Sequence, residues 1–174
     1  MVIVDNNILS ALAKIDRLAL LPELFVEVSS PVSVFDELAS VEATDTSFVD
    51  AIEMVKSYNG GWLEIASPTE QELKEASRIR DLALSSTDAQ CVAVAIHRER
   101  RLLTDDRHVG TVAEHESVDV SDLVLLLQAC VRFEVIAGRD ELSAIIEALS
   151  QMDNYQFRED DRDVLLEELE TSCG

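Results

Sequence analysis

Five acidic side chains hold most of the chemistry this sequence can offer: Asp5, Glu37, Asp88 and the adjacent Asp105 and Asp106. Asp5 follows Val2-Ile3-Val4, three β-branched residues that read as a fully buried strand, and a helix opens directly after it. Arg101-Leu102-Leu103-Thr104 reads as a second strand closed by Asp105-Asp106. Asp88 stands at the head of a small-residue, apolar helical stretch, and Glu37 lies inside the helix begun by Ser30-Pro31. In an open parallel sheet, ligands bind at the carboxyl ends of the strands, where strand-to-helix turns present side chains and free N–H groups. Asp5 and the Asp105/Asp106 pair would share that edge, with Asp88 joining from a helix N-terminus.

Carboxylates gathered this way repel. At about 5 Å and an effective dielectric near 20, each pair costs roughly 3 kcal/mol. Either protons are taken up or a divalent cation sits between the groups. Hard oxygen ligands without neighbouring His or Cys point to Mg²⁺ or Mn²⁺ rather than zinc. Such an ion lowers the pKa of a bound water and neutralises charge developing on a phosphodiester oxygen, so phosphodiester hydrolysis is the natural chemistry.

The elements that must position these groups are legible as alternating strands and helices. Ile8, Leu9, Leu12 and Ile15 fall at helical spacing, a short apolar piece covers Leu18 to Phe25, and Val26 to Val28 is expected to form a short strand. An amphipathic helix over 46–58 stops at Asn59-Gly60-Gly61, and Trp62 to Ile65 alternates like a half-buried strand. Thr69 with Glu72 forms one capping-box pattern and Thr87 with Gln90 a second, opening helices toward Arg80 and Ile96. A helix from Arg107 to His115 leads to a last strand at Val118 to Val120. The expectation is an α/β fold with a central parallel sheet. From Ser121 no strand signal remains, and about three helices follow, packed on the sheet domain or on a partner.

Length and composition fit a single folded unit: 174 residues, 47% hydrophobic, only 5 Gly and 3 Pro. The charge balance is extreme, 35 acidic against 14 basic residues for a net −21, and the basic residues are 3 Lys and 11 Arg. That surface repels nucleic acid at ordinary ionic strength. At about 1 M salt the Debye length is roughly 3 Å, and the objection fades. An acidic, Lys-poor globular sequence of this kind resembles proteins of salt-accumulating halophiles. Three widely spaced cysteines (Cys91, Cys130, Cys173) without a CxxC pair suit a reducing cytoplasm and no zinc site. No signal peptide is visible, and the longest apolar run, Leu123 to Leu127, is far short of a membrane span, so no membrane is expected.

Val-Ile-Val-Asp5-Asn6-Asn7, then Val34-Phe35-Asp36-Glu37-Leu38, then Thr87-Asp88-Ala89, then Leu102-Leu103-Thr104-Asp105-Asp106-Arg107 resemble, in that order, the motifs of PIN-domain ribonucleases. The match covers roughly residues 1–120, and the tail, 121–174, looks like that of a branch with extra C-terminal helices, described mostly as predicted nucleic-acid-binding proteins, with VapC toxins as relatives. The resemblance implies a PIN-like three-layer α/β/α fold with a C-terminal helical extension, and a Mg²⁺- or Mn²⁺-dependent endoribonuclease acting on RNA. Its acidic set would be Asp5, Glu37, Asp88 and Asp106, with Asp5, Asp88 and Asp106 on the metal. Asn7 matches the small polar residue after the first acid, and Thr104 the hydroxyl that orients a carboxylate or water. Asp106 is chosen over Asp105 because the family pattern is Thr-x-Asp. Ser85-Ser86-Thr87 departs from the glycine and further acid often found there. An antitoxin protein and a homodimer are the partners such a chain would have. The alternative is a non-catalytic PIN-like nucleic-acid-binding or protein-interaction module.

Plainer roles compete. Asp88 would stabilise any helix's first turn, Glu37 could be a solvated helix residue, and Asp105 a turn or capping residue. The run Arg98 to Arg101 lies about 15 Å from Asp88 along its helix, toward the opposite sheet edge, and the same reasoning removes Lys14. Arg107 is the cation best placed to meet a substrate phosphate. His108 has no His partner at ligand spacing, and Asp153 to Glu170, with eight acids and two Arg, reads as a solvated face.

Overall fold

A computed structural model describes residues 1–40 and 47–172. The chain alternates β1 (Val2–Val4), α1 (Asn6–Lys14), α2 (Leu20–Leu24), β2 (Val28–Pro31), α3 (Val32–Ala39), α4 (Ser47–Val55), β3 (Leu63–Ala66), α5 (Glu70–Arg80) and α6 (Ser86–Arg98). It continues through β4 (Arg101–Leu103), α7 (Arg107–His115) and β5 (Val120–Ser121) to α8 (Leu123–Arg132), α9 (Arg139–Met152) and α10 (Glu159–Ser172). All strand pairs are parallel, in the order β3-β2-β1-β4-β5. The fold is the expected three-layer α/β/α arrangement around a parallel sheet, and three helices follow the last strand. Among the described residues no helix is long and apolar enough to cross a membrane.

β1 occupies the middle of the sheet because Val2, Ile3 and Val4 are all buried, as a strand covered on both faces requires. Its register sets Val4 opposite Leu103, so Asp5 and Thr104 leave the sheet side by side. The Asp5 N–H donates to the Leu103 carbonyl (3.1 Å), the last ladder bond before the chain turns into α1. α6 packs on β1, β2 and β4, and Ala89, Cys91, Val92, Ala93, Val94 and Ala95 are buried there. Small side chains let that helix lie close to the sheet, and its N-terminus comes to the same edge as Asp5.

Several boundaries differ from expectation for identifiable reasons. The strand expected at Val26 to Val28 is β2 at Val28–Pro31, and Val26 is 97% exposed. Ser30, polar in sequence, is fully buried with its hydroxyl donating to the Val4 carbonyl, so a satisfied serine extends a core strand that apolar patterning would end. Pro31 closes the strand as the N-cap residue of α3 instead of standing in its first turn. The capping box expected at Thr87 and Gln90 is displaced by Ser85, whose Oγ accepts the Asp88 N–H (3.0 Å). That at Thr69 and Glu72 forms as expected. The last strand begins at Val120 rather than Val118, since Leu102 and Leu103 pair with Val120 and Ser121. α4 ends at Val55, and the Asn59-Gly60-Gly61 stop works through two features: Gly60 adopts φ +82, and a Cβ on Gly61 would stand 2.0 Å from the Val55 carbonyl oxygen. Thr46 and Cys173 lie outside the described residues.

Candidate active site

Asp5 is 3% exposed, and its two oxygens have different fates. Oδ1 caps α1 by accepting the Ile8 N–H at 2.9 Å. Oδ2 is buried without a hydrogen-bond partner. Burial is the main reason its pKa rises from the ordinary 3.8 to about 7, and the nearby charges of Asp88 and Asp105 add to the rise. The bond from Ile8 and the neighbouring Thr104 hydroxyl oppose it. An orphaned carboxylate oxygen in a core is costly, and it marks a place where a proton or a cation is called for.

The neighbours are positioned by local rules. Ser85 caps α6, and its hydroxyl donates to Asp88 Oδ2 at 2.7 Å, fixing the half-buried Asp88 in the first turn. Glu37, on the exposed side of α3, accepts from Asn6 Nδ2 at 3.0 Å, and Asn6 Oδ1 is in turn held by Ser10. The buried Cys91 thiol, pushed well up chiefly by desolvation, also lies within the fields of Asp5, Asp88 and Glu37. Asp5 thus feels the charge of Asp88, and Glu37 reaches the first turn of α1 through Asn6.

Asp106, the fourth, sits differently. It is exposed and caps α7, with Oδ1 accepting from His108 N (2.7 Å) and Val109 N (3.1 Å), while its own N–H donates to Thr104 Oγ1 (3.2 Å). Thr104 thus stands beside Asp5 in register and holds the Asp106 backbone. Asp105 is half-buried, its Oδ1 taking the Leu123 N–H (3.3 Å) and the Tyr155 hydroxyl (3.0 Å). Its pKa is raised by burial and by Asp122 and Asp153, against the pull of those two bonds.

A cavity of about 660 Å³ opens beside this pair, lined among others by Thr104, Arg107, Asp122, Asp153, Tyr155 and Arg158. Sequence reading missed its far wall. Asp153 and Asp161, assigned there to a solvated face, line the cavity together with Tyr155 and Arg158. Lys14 binds Asp153 at 2.5 Å and ties α1 to that wall. Asn6, not singled out beforehand, contacts Glu37, whereas Asn7 is exposed. Arg107 is exposed at the cavity, and His108 Nε2 lies 3.0 Å from the Leu82 carbonyl in the loop before α6. Arg98 is engaged elsewhere, with Glu72 at 2.7 Å.

Among protein families, a model described as PIN domain matches residues 1–169. The chain belongs to the PIN-domain family. The matched span runs through α8, α9 and most of α10, as well as the sheet. Among solved structures, the crystal structure of FitAcB from Neisseria gonorrhoeae is similar at 17% identity, covering 69% of this chain and 96% of that one, with a TM-score of 0.48. No curated protein matches.

Whether this PIN domain's residues suit a divalent ion turns on the donor set. Among the described residues no three His, Cys, Asp or Glu side chains are close enough to cage a metal unaided. Mg²⁺ does not ask for such a cage. It keeps several waters and is typically held by one or two carboxylates plus substrate phosphate oxygens. The free Oδ2 of Asp5, with Asp88 alongside, meets that requirement.

Proposed function

We propose that the protein is a Mg²⁺- or Mn²⁺-dependent endoribonuclease of the PIN type, with Asp5, Glu37, Asp88 and Asp106 as its acidic set. We assign residues 1–120 to the nuclease unit and 121–174 to a helical extension of it. The observation that carries this reading is the buried, unpartnered Oδ2 of Asp5 with the charges of Asp88 and Asp105 around it.

Asp5 and Asp88 would hold the ion, which when bound activates a water and offsets charge on the scissile phosphate, while Asp106, expected on the metal with them, stands apart as the exposed cap of α7. The protein's own part is orientation. Thr104 stands beside Asp5 and braces the Asp106 backbone, Ser85 fixes Asp88, and Asn6 holds Glu37 through Oε1, so that Glu37 would accept the proton of the attacking water. Arg107 and Arg158 line the adjoining cavity and suit the flanking phosphates of an RNA strand. In a cell such an activity calls for restraint, and we assign the protein the role of toxin in a toxin–antitoxin pair, with an antitoxin protein covering the acidic edge.

Asp5→Asn tests this directly. It keeps the Ile8 cap and removes the charge, so metal-dependent RNA cleavage at molar KCl is lost while the chain stays folded. Cleavage at the wild-type rate would refute the assignment, and absence of Mn²⁺ binding by the wild type in calorimetry would leave a non-catalytic PIN-like module.

A further inference from the structure

Asp5 and Asp88 come to the acidic edge from elements far apart in the chain, and a run of hydrogen bonds connects their turns. The register of β1 with β4 sets Thr104 beside Asp5. Thr104 Oγ1 accepts the Asp106 N–H (3.2 Å), and Asp106 Oδ1 accepts the His108 N–H (2.7 Å). The His108 ring then crosses to the loop between α5 and α6, its Nε2 lying 3.0 Å from the Leu82 carbonyl oxygen. A carbonyl only accepts, so Nε2 carries the proton and donates. Three residues after Leu82, Ser85 caps α6 and holds both the N–H and the Oδ2 of Asp88 (3.0 and 2.7 Å). The loop needs such a tie. Ala83 takes φ 67, a left-handed backbone that is costly for a residue with a Cβ, and from Asp81 to Leu84 only Leu84 is buried. Arg78 with Glu116 (2.8 Å) fastens the far end of α7 to α5, so His108 pins the end of α7 that begins at Asp106.

We propose that His108 is a positioning residue for Asp88, clamping the loop ahead of α6 to the start of α7 so that Asp88 keeps one placement relative to the β4 turn and Asp5. This rests on the metal-dependent nuclease reading above. In this role His108 touches neither ion nor RNA and acts through Leu82 and Ser85. Misplacing a working group by about 1 Å can cost about 100-fold in rate. A partner that orients a ligand from outside typically controls metal affinity or activity by about 10–100-fold, and for a clamp acting through two residues the lower end applies.

His108→Gln and His108→Asn separate this role from a general tie between helices. The Gln amide nitrogen reaches about as far from the backbone as His Nε2 and keeps the donor, whereas the Asn amide stops near the place of Nδ1 and falls short of Leu82. On the full chain at molar KCl, His108→Asn is expected to weaken Mn²⁺ binding in calorimetry about tenfold and to lower kcat for RNA about as much, with KM within about twofold. His108→Gln should stay within about threefold of wild type in both. Glu116→Gln, which breaks the tie at the far end of α7, should leave Mn²⁺ affinity and kcat unchanged. A tie that serves the fold alone predicts a lower melting temperature for His108→Asn with Mn²⁺ affinity and kcat at wild-type values, and that result overturns the inference. So does a His108→Gln variant that loses as much as His108→Asn, or a Glu116→Gln variant that loses as much as either. If the wild type binds Mn²⁺ and cuts RNA in that same experiment, only the role of His108 falls. If it does neither, the nuclease reading falls too.

Discussion

Asp5→Asn has a second consequence, on stability, that does not depend on RNA. The folded protein holds the Asp5 proton until about pH 7, whereas a free Asp releases it near 3.8. Below about pH 4 the group is neutral in both states and carries no penalty. Between about 4 and 7 the native state binds the proton that the unfolded state has lost, so stability declines as pH rises through that window. Above about 7 the buried charge is present and the deficit stays constant. At 1.36 kcal/mol per pH unit, the gap between 3.8 and about 7 gives a deficit of at most about 4 kcal/mol. Asn is neutral at every pH and can still accept the Ile8 N–H, so it escapes this loss. In metal-free buffer at pH 8, Asp5→Asn should therefore unfold at a higher denaturant concentration than wild type, and the two should converge near pH 4. Urea titrations across pH 4–8 at about 1 M KCl, where the many surface acids are screened, isolate the Asp5 contribution. Adding Mn²⁺ at pH 8 should reverse the order, since binding to the native state stabilises wild type alone. A variant no more stable than wild type at pH 8, or an unchanged pH slope, would refute the claim that this carboxylate is buried at a cost.

Three other substitutions probe the supports. Thr104→Val removes a hydroxyl that favours ionised Asp5, so the pH at which stability levels off should move above about 7 in the same titrations, and cleavage should fall about tenfold. Ser85→Ala deletes the α6 cap and the Asp88 donor, costing about 1 kcal/mol in chemical denaturation and weakening Mn²⁺ binding. Arg98→Ala strands the buried Glu72, which also caps α5 through the Thr69 N–H, and should destabilise by about 2–3 kcal/mol with RNA cleavage at 25 °C unchanged.

The sheet was readable because its central strands obey a simple rule: Val2-Ile3-Val4 and Leu102-Leu103 are apolar where both faces are covered. β2 was less so, since its second and third residues are serines and the register with β1 and β3, not hydropathy, defines it. The start of α6 was ambiguous in the sequence itself. Thr87-x-x-Gln90 is the closer match to a capping box, yet Ser85 is the N-cap that forms, its Oγ accepting the Asp88 N–H two residues before the expected start. Around the site, Asp5 and Asp88 come from strand and helix ends, and Glu37 from inside a helix, all of which periodicity locates. Tyr155, Asp153 and Arg158 carry no such signal. They lie between α9 and α10, and only the packing of α9 on α1 and α10 on α8 carries them to β4.

That packing also shows how the chain distributes its scarce cations. Lys14 goes to Asp153, Lys56 to Glu53, Arg98 to Glu72 and Arg132 to Glu168, and Arg78 bridges Glu75 and Glu116. None of these pairs involves Asp5, Glu37 or Asp88, which among the described residues form no salt bridge. An excess of acid over base does not by itself produce this pattern. Where a basic side chain was within reach, as Lys14 is at the tail, the sequence spends it on the rim and leaves the buried Asp5 oxygen free. A lysine inside the centre would relieve the repulsion permanently and leave no place for the proposed ion. Leaving the carboxylates uncompensated keeps part of the native state's stability dependent on an exchangeable charge. A local rule broken in the middle of an otherwise consistent fold is the physical mark of a working site.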